Sequence, residues 1–422
     1  MSVEVEPAVG VGAGVTPEVR LVSRAFVALA LAALAFFVAG GIVLPVAPRF
    51  ASGPLGADAF GFGVSIGAFA IAALLARPIV GWASDRYGRR PLLLLGAGIT
   101  IAGLGLHLLA TDLIVFTLAR GLLGIGEGFF FVAALAAGSD IAPVTRRGEA
   151  LSFLSLSLYM GVVIGPVVGE VVLANGGFDA VWLVAAGMTG VALLLSLAVP
   201  ETAPARVAAI AAAAGGEVEQ RRARGRLFHP RGLLPGLLVL AGAWGMSGYF
   251  TFLPFYATGV GLDGAGAPLA IYGLTVIVLR AFGARLPDQL GAARLSGVAM
   301  VVVVGGLSVI GLVPTPAGLL IGTVLYASGV AFLFPALMTC AVGRVDPEER
   351  GSVLGTTSAF LDLGFGIGPV ALSLLAAGGT VGTASMAGLS ATFLVSAAVA
   401  AVGATILYLR RRDLAPSVVA TG

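Results

Sequence analysis

The sequence predicts an all-α transmembrane fold of twelve helices in two pseudo-symmetric six-helix halves, and three observations carry that prediction. Apolar residues make up 58% of the 422-residue chain and charged residues 11%, against roughly 45–50% and 25% in soluble domains. Apolar runs of membrane-crossing length recur from one end to the other. The second half also repeats the first at a constant offset.

The mean hydropathy of +1.05 applies to the whole chain, and a single span of about 20 residues would leave the remainder ordinary. Spans are expected at about 24–48, 61–82, 92–110, 113–137, 150–174, 180–199, 232–258, 268–286, 295–313, 316–342, 352–377 and 385–409. All must be helices, because open strands in lipid leave backbone groups unsatisfied.

Charge sets the expected orientation. All 24 basic residues are arginine, so no lysine exists to serve a P-loop motor. The arginines gather at 83–91, 138–149, 200–231, 287–294, 343–351 and Arg410 to Arg412, whereas the intervening connections hold only Arg49. By the positive-inside rule both termini lie in the cytoplasm and the protein is a multi-pass protein of the cell membrane. A net charge of +3 and a pI near 9.3 sit in short clusters between apolar runs, not on one basic face, so no nucleic-acid partner is expected.

The expected layout is a disordered cytoplasmic tail (1–23), an N-terminal half (24–199), a cytoplasmic linker (200–231), a C-terminal half (232–409) and a second cytoplasmic tail (410–422). The first tail carries Glu4, Glu6 and Glu18 and no arginine before Arg20, unlike the basic start of a signal peptide. Cys340 is the only cysteine, which excludes an internal disulfide and a thiolate metal site. His107 and His229 are too far apart for a zinc-protease motif and no nucleophile motif appears, so neither enzyme activity nor a metal or cofactor is expected.

At an offset of 203, Arg77 aligns with Arg280, Asp85 with Asp288, Gly88 with Gly291, Arg147 with Arg350, Gly161 with Gly364, Gly165 with Gly368 and Pro166 with Pro369. Glycine matches come cheaply in a chain with 63 of them; the paired Arg, Asp and Pro positions do not. Two related halves place a substrate site between them, reached by rocking one against the other.

Between spans two and three lies GWASDRYGRRP, residues 81–91. Gly81, Asp85, Arg86, Gly88, Arg89 and Arg90 match, position by position, the G-x-x-x-D-R-x-G-R-R signature of the major facilitator superfamily, which the chain resembles over essentially its whole length after residue 23. The resemblance implies a conformational latch, with Asp85 held against the start of span eleven near Arg350 and Gly351 in one rocked state only. Plain positive-inside charge would explain the arginines but not Asp85 or the glycines. The second-half copy has Ala292 and Ala293 in place of Arg89 and Arg90, so its latch should be weaker.

Span four carries RGLLGIGEG, residues 120–128, similar to the family's fourth-helix arginine motif. Arg120 and Glu127 are two helical turns apart on one face, about 10 Å along the axis. A carboxylate at mid-span is costly unless it meets water, a partner or a proton. Glu127 is therefore the first candidate for a proton or substrate-cation site, with a static buried pair to Arg120 or a span-five group as the alternative. Asp362, about ten residues into span eleven and hence about 15 Å deep, is a second candidate for the pathway. Arg77, Arg280, Glu170 and His107 lie nearer span ends and read as structural.

Span five holds GVVIGPVVGE, with Gly161, Gly165 and Gly169 on one stripe and Pro166 breaking the ladder. Small residues at this spacing let two helices touch. The pattern also resembles the signature of drug:proton antiporters, although Glu170 stands where those proteins often have glycine. Aromatic residues in spans seven and ten, including Trp244, Tyr249, Phe255 and Tyr326, suit a pocket for lipophilic cations where they face it and lipid where they do not. The reading is a monomeric secondary transporter in the bilayer, exchanging protons for small lipophilic compounds by alternating access. Uptake or exchange of a sugar or organic acid is the alternative, and a receptor or enzyme on the same scaffold is the reading from another class.

Overall fold

The computed structural model describes residues 23–143, 147–202, 229–283, 286–343, 345, 350–376 and 385–414. Both expected tails and most of the expected linker lie outside the described residues, apart from 23, 200–202, 229–231 and 410–414.

The first half begins with α1 (Arg24–Val43), α2 (Val46–Ser52), α3 (Ala59–Tyr87), α4 (Arg89–Leu108) and α5 (Leu113–Ile141). Their starts are set by short polar side chains that satisfy the free N–H groups of a first turn. Ser23 accepts from the Phe26 N–H at 3.1 Å, Asp58 from Gly61 at 2.7 Å, and Asp112 from Ile114 and Val115 at 2.8 and 2.9 Å. The next stretch, α6 (Arg147–Leu197), is two helices meeting at Gly177, whose φ of +73° only glycine adopts without strain. Spans five and six are thus joined by one residue, not by the loop at 175–179 that the sequence suggested.

The second half runs through α7 (Leu233–Gly259), α8 (Gly266–Phe282), α9 (Leu286–Leu290), α10 (Ala292–Leu312), α11 (Pro316–Val342), α12 (Arg350–Ala376), α13 (Met386–Leu409) and the short α14 (Arg411–Leu414). Among the described residues, ten stretches are long and apolar enough to cross a membrane, with α6 counted once and the 17-residue α8 falling short. The chain is a multi-pass membrane protein.

Several hydroxyl side chains inside these helices donate back to the carbonyl one turn earlier, as Thr189 does to Ala185 and Ser396 to Thr392, which meets their polarity within the helix. Packing is dense within each half. Helix α1 lies along α6 and α5 contacts both α3 and α4, while α10 packs on α11 and α13, and α7 on α12 and α13. The halves meet along two seams, α3 with α12 and α6 with α8.

Candidate functional site

Helix α3 runs five residues past the expected end of span two, so most of the GWASDRYGRRP segment is its last turns. The reversal is a single residue, Gly88, at φ +104°. Its repeat counterpart Gly291 also has positive φ, +77°, which explains why both copies need glycine here. Arg89 then turns inward. Its Nε meets Asp140 Oδ2 at 3.0 Å, its Nη1 donates to the Ser84 carbonyl at 2.6 Å, and its backbone N–H donates to Glu201 Oε1 at 2.8 Å. Asp140 ends α5 and Glu201 follows α6, so Arg89 staples three elements of one half together.

Arg86 is exposed beside Tyr87, and Arg90 is half-buried. The side chains of Gly81, Asp85, Arg350 and Gly351 lie outside the described residues, and with them the expected latch contact.

Farther into the membrane the structure brings three charged side chains together. Arg77 of α3 forms an ion pair with Asp362 of α12, Nε to Oδ2 at 2.5 Å. Its Nη1 also donates to Ser358 Oγ at 3.3 Å, while the Ser358 hydroxyl donates to Gly355 O. Glu127 of α5 lies within electrostatic reach of both Asp362 and Arg77. Two carboxylates and one guanidinium, drawn from both halves, therefore share a half-buried site.

Arg120 does not close this cluster. It is buried, its guanidinium carbon lies 5.1 Å from the centre of the Phe69 ring, and its Nε has no hydrogen-bond partner. The static Arg120–Glu127 pair is not formed. Sequence reasoning missed Arg77 because it placed the span end at 82. With α3 ending at Tyr87, Arg77 is ten residues from the helix end, about 15 Å inside it.

The family profile described as Major Facilitator Superfamily matches residues 29–369 and again 265–421. The chain belongs to the major facilitator superfamily. An uncharacterized MFS-type transporter of Salmonella typhimurium is 29% identical over 386 residues, covering 88% of this chain and 93% of that one. YhhS of Escherichia coli, described in the same terms, is 26% identical over 382 residues, 88% of this chain and 89% of its own. A Burkholderia pseudomallei MFS-type transporter is 30% identical over 389 residues, 89% and 90%.

Among solved structures, a bacterial homologue of the human lysosomal transporter Spinster superposes with a TM-score of 0.74 at 18% identity, covering 92% of this chain and 97% of that one. The nucleoside transporter NupG gives 0.71 at 14% identity, over 91% and 99%. The human organic anion transporter MFSD10 gives 0.67 at 20% identity, also over 91% and 99%. These likenesses establish the shared fold.

In this superfamily member the glycines of span five face α1. A Cβ on Gly165 would lie 2.5 Å from Gly41 Cα, one on Gly169 would lie 2.5 Å from the Ile42 carbonyl oxygen, and one on Gly161 would strike the Phe37 backbone. Pro166 is buried beside them. The glycines of span four work the same way, Gly124 against the Phe69 carbonyl of α3 and Gly126 against Thr100 of α4. Glu170, next after Gly169, pairs with Arg49 at 2.9 Å.

The aromatic residues of spans seven and ten divide. Tyr249, Tyr326 and Tyr272 of α8 stack together in the interior, with centroid distances of 5.2 and 5.5 Å from Tyr249, whose hydroxyl meets Thr323 Oγ1 at 3.0 Å. Trp244, Phe255, Phe332 and Phe334 are only half-buried.

Proposed function

We propose that this superfamily member is a proton-coupled antiporter that exports small lipophilic compounds across the cell membrane, with Glu127, Asp362 and Arg77 coupling proton movement to the rocking of the halves. The observation that carries this reading is the cross-half ion pair with a second carboxylate beside it. With all three groups ionised the cluster holds one excess negative charge, and an uncompensated charge at mid-membrane costs about 2.5–3.5 kcal/mol on insertion scales. A proton or a substrate cation removes that cost. Rocking separates Arg77 from Asp362, so the need for a compensating charge changes with conformation. Transport by alternating access is common to the superfamily; the proton is this proposal's addition.

The same reading takes α6 as two crossings and α8 as a short one, giving twelve. It keeps the arginine-rich connections and both termini in the cytoplasm, divides the halves at the 200–231 linker, and treats the protein as a monomer without enzymatic activity. The drug:proton-antiporter pattern at Gly161, Gly165, Pro166 and Gly169 supports export, as do the half-buried aromatic side chains of the second half.

One observation favours a second reading. Among the described residues Arg120 is buried without an acidic partner, and a carboxylate substrate would satisfy it, which suits exchange of an organic acid. MFSD10, named as an organic anion transporter, shares the fold.

Reconstitution in liposomes with a trapped pH dye tests both. A lipophilic amine that dissipates an imposed proton gradient with wild type and not with Glu127→Gln supports the antiporter. Gradient-independent exchange of organic acids that Arg120→Gln abolishes and Glu127→Gln spares would replace it.

A further inference from the structure

The side of the molecule with few arginines carries a second charged cluster that the coupling site does not use. Arg49 in α2 and Glu170 in α6 form an ion pair, Nη1 to Oε2 at 2.9 Å, with side-chain exposures of 21% and 18%. Enclosing such a pair is costly unless its remaining valences are met. Here Arg49 Nη2 and Glu170 Oε1 are buried without a hydrogen-bond partner.

What encloses the pair is the opposite half. A Cβ at Gly264 would sit 3.1 Å from Arg49 Nη2 and 3.3 Å from Glu170 Oε2, and one at Gly266 would sit 3.6 Å from Glu170 Cβ. The connection from α7 to α8 thus rests on the ion pair, close enough that a Cβ at Gly264 would press on the Arg49 guanidinium. Nearby, the halves close on apolar contacts. Phe62 of α3 meets Phe252 and Phe255 of α7 at 5.6 and 5.4 Å, and Gly63 abuts Ser373 and the Pro369 carbonyl of α12.

We infer that Arg49 and Glu170 form a gate whose role is to penalise closure on this side. The ring contacts of Phe62 and the close backbone packing at Gly63 favour the closed arrangement. The ion pair, fully hydrated when the α7–α8 connection swings away and left with two unmet valences when it returns, opposes it. The balance keeps the closed state from becoming a trap in the transport cycle. Arg49 and Glu170 are in this sense positioning residues for the cycle and not part of the substrate or proton site.

The inference makes two substitutions act in opposite directions. Replacing both partners, Arg49→Met with Glu170→Met, removes the penalty and shifts the population toward closure. Glu170→Gln strands the arginine charge, makes closure costlier and shifts the population toward opening. The reporter is Ser373→Cys in a Cys340→Ser background, since Ser373 is fully buried in the closed seam. Its labelling by a membrane-impermeant maleimide, in cells or in liposomes of known orientation, reads opening on this side.

Labelling should slow several-fold in the double methionine variant and quicken several-fold in Glu170→Gln. Changes in the same direction, or no change in either, overturn the gate. An independent check is the pair Glu170→Cys with Gly266→Cys, whose Cβ separation of 3.6 Å suits a disulfide. Oxidation should cross-link it, and reductant should release the cross-link. Failure to cross-link in folded protein, judged by its elution as a single species, also overturns the inference. Neither readout depends on which compound is carried or on protons.

Discussion

Arg77 and Asp362 meet 2.5 Å apart across the seam between α3 and α12, a charge from each half of the repeat. The pairs Arg49–Glu170, Arg89–Asp140 and Arg410–Asp413 each stay within one half. The repeat counterpart of Arg77, Arg280, instead donates through Nε to the Ala331 carbonyl of α11, inside its own half. In the proposed cycle, rocking along α3 and α12 breaks the Arg77–Asp362 ion pair.

That pair should behave as a coupled unit. Removing one partner of a fully buried pair costs about 3–5 kcal/mol, mainly because the other charge is stranded. Both side chains keep about a fifth of their exposure here, so Arg77→Gln or Asp362→Asn alone is expected to cost less, about 1–3 kcal/mol, which is the scale of contacting pairs in double-mutant cycles. The double variant should recover most of the loss in thermal unfolding of the purified protein. Simple additivity of the two single losses would show that the charges do not depend on each other.

The glycine stripe of α6 gives a prediction with opposite signs at two glycines of one element. Gly165→Ala places a methyl 2.5 Å from Gly41 Cα, in backbone that cannot yield cheaply, and should cost about 1–3 kcal/mol as overpacking does. Gly187, in the same α6 stretch, has nothing within 4 Å. Gly187→Ala should be neutral or stabilising by up to about 1 kcal/mol, because alanine is the better helix former. Melting temperatures in a single detergent decide it; equal losses at both sites would remove the packing explanation.

The fold was legible because the bilayer leaves few solutions: long apolar runs must be helices, and the repeat offset set two halves. Gly88 and Gly291 recur at the same repeat position because each turn needs a positive φ, which glycine adopts at least cost. What sequence could not supply was helix length at the termini and pairing across the molecule. Arg77 and Glu170 read as span-end residues, yet α3 extends to Tyr87 and the partners, Asp362 and Arg49, lie 285 and 121 positions away. Local periodicity carries no information about such partners. Arg120 and Glu127 shared a helix face as expected, but sharing a face did not make them a pair, because Phe69 occupies the space over the guanidinium.

The buried tyrosines test how polar groups are accommodated in the second half. Tyr249 and Thr323 meet at 3.0 Å with both residues fully enclosed. Tyr249→Phe or Thr323→Val alone leaves a buried group unsatisfied and should cost about 1–3 kcal/mol, whereas the pair of changes together can be close to neutral. Unfolding of the two single variants and the double variant, compared with wild type, measures this. A double variant as unstable as the sum of the singles would mean that packing against Tyr272 and Tyr326, and not the hydrogen bond, dominates.

Gly88 and Gly291 separate backbone strain from side-chain crowding at equivalent turns. Both have positive φ with extended ψ, so an alanine at either position bears a conformational cost of about 1–3 kcal/mol. At Gly291 nothing lies within 4 Å of the added methyl, whereas at Gly88 the methyl falls on the Glu201 carboxylate, which holds the Arg89 N–H at the start of α4. Gly291→Ala should therefore show the strain alone. Gly88→Ala should show strain plus displacement of Glu201, a further loss of about 1 kcal/mol for a charge-assisted hydrogen bond. Adding Glu201→Ala separates the two contributions: Glu201 also accepts from the Thr202 N–H, which both backgrounds lose, so the substitution should cost wild type more than the Gly88→Ala background by the Arg89 hydrogen bond alone, because that contact is already gone there. If Glu201→Ala costs both backgrounds equally, Gly88 is glycine for its φ alone, and the carboxylate tolerates a neighbour at that turn.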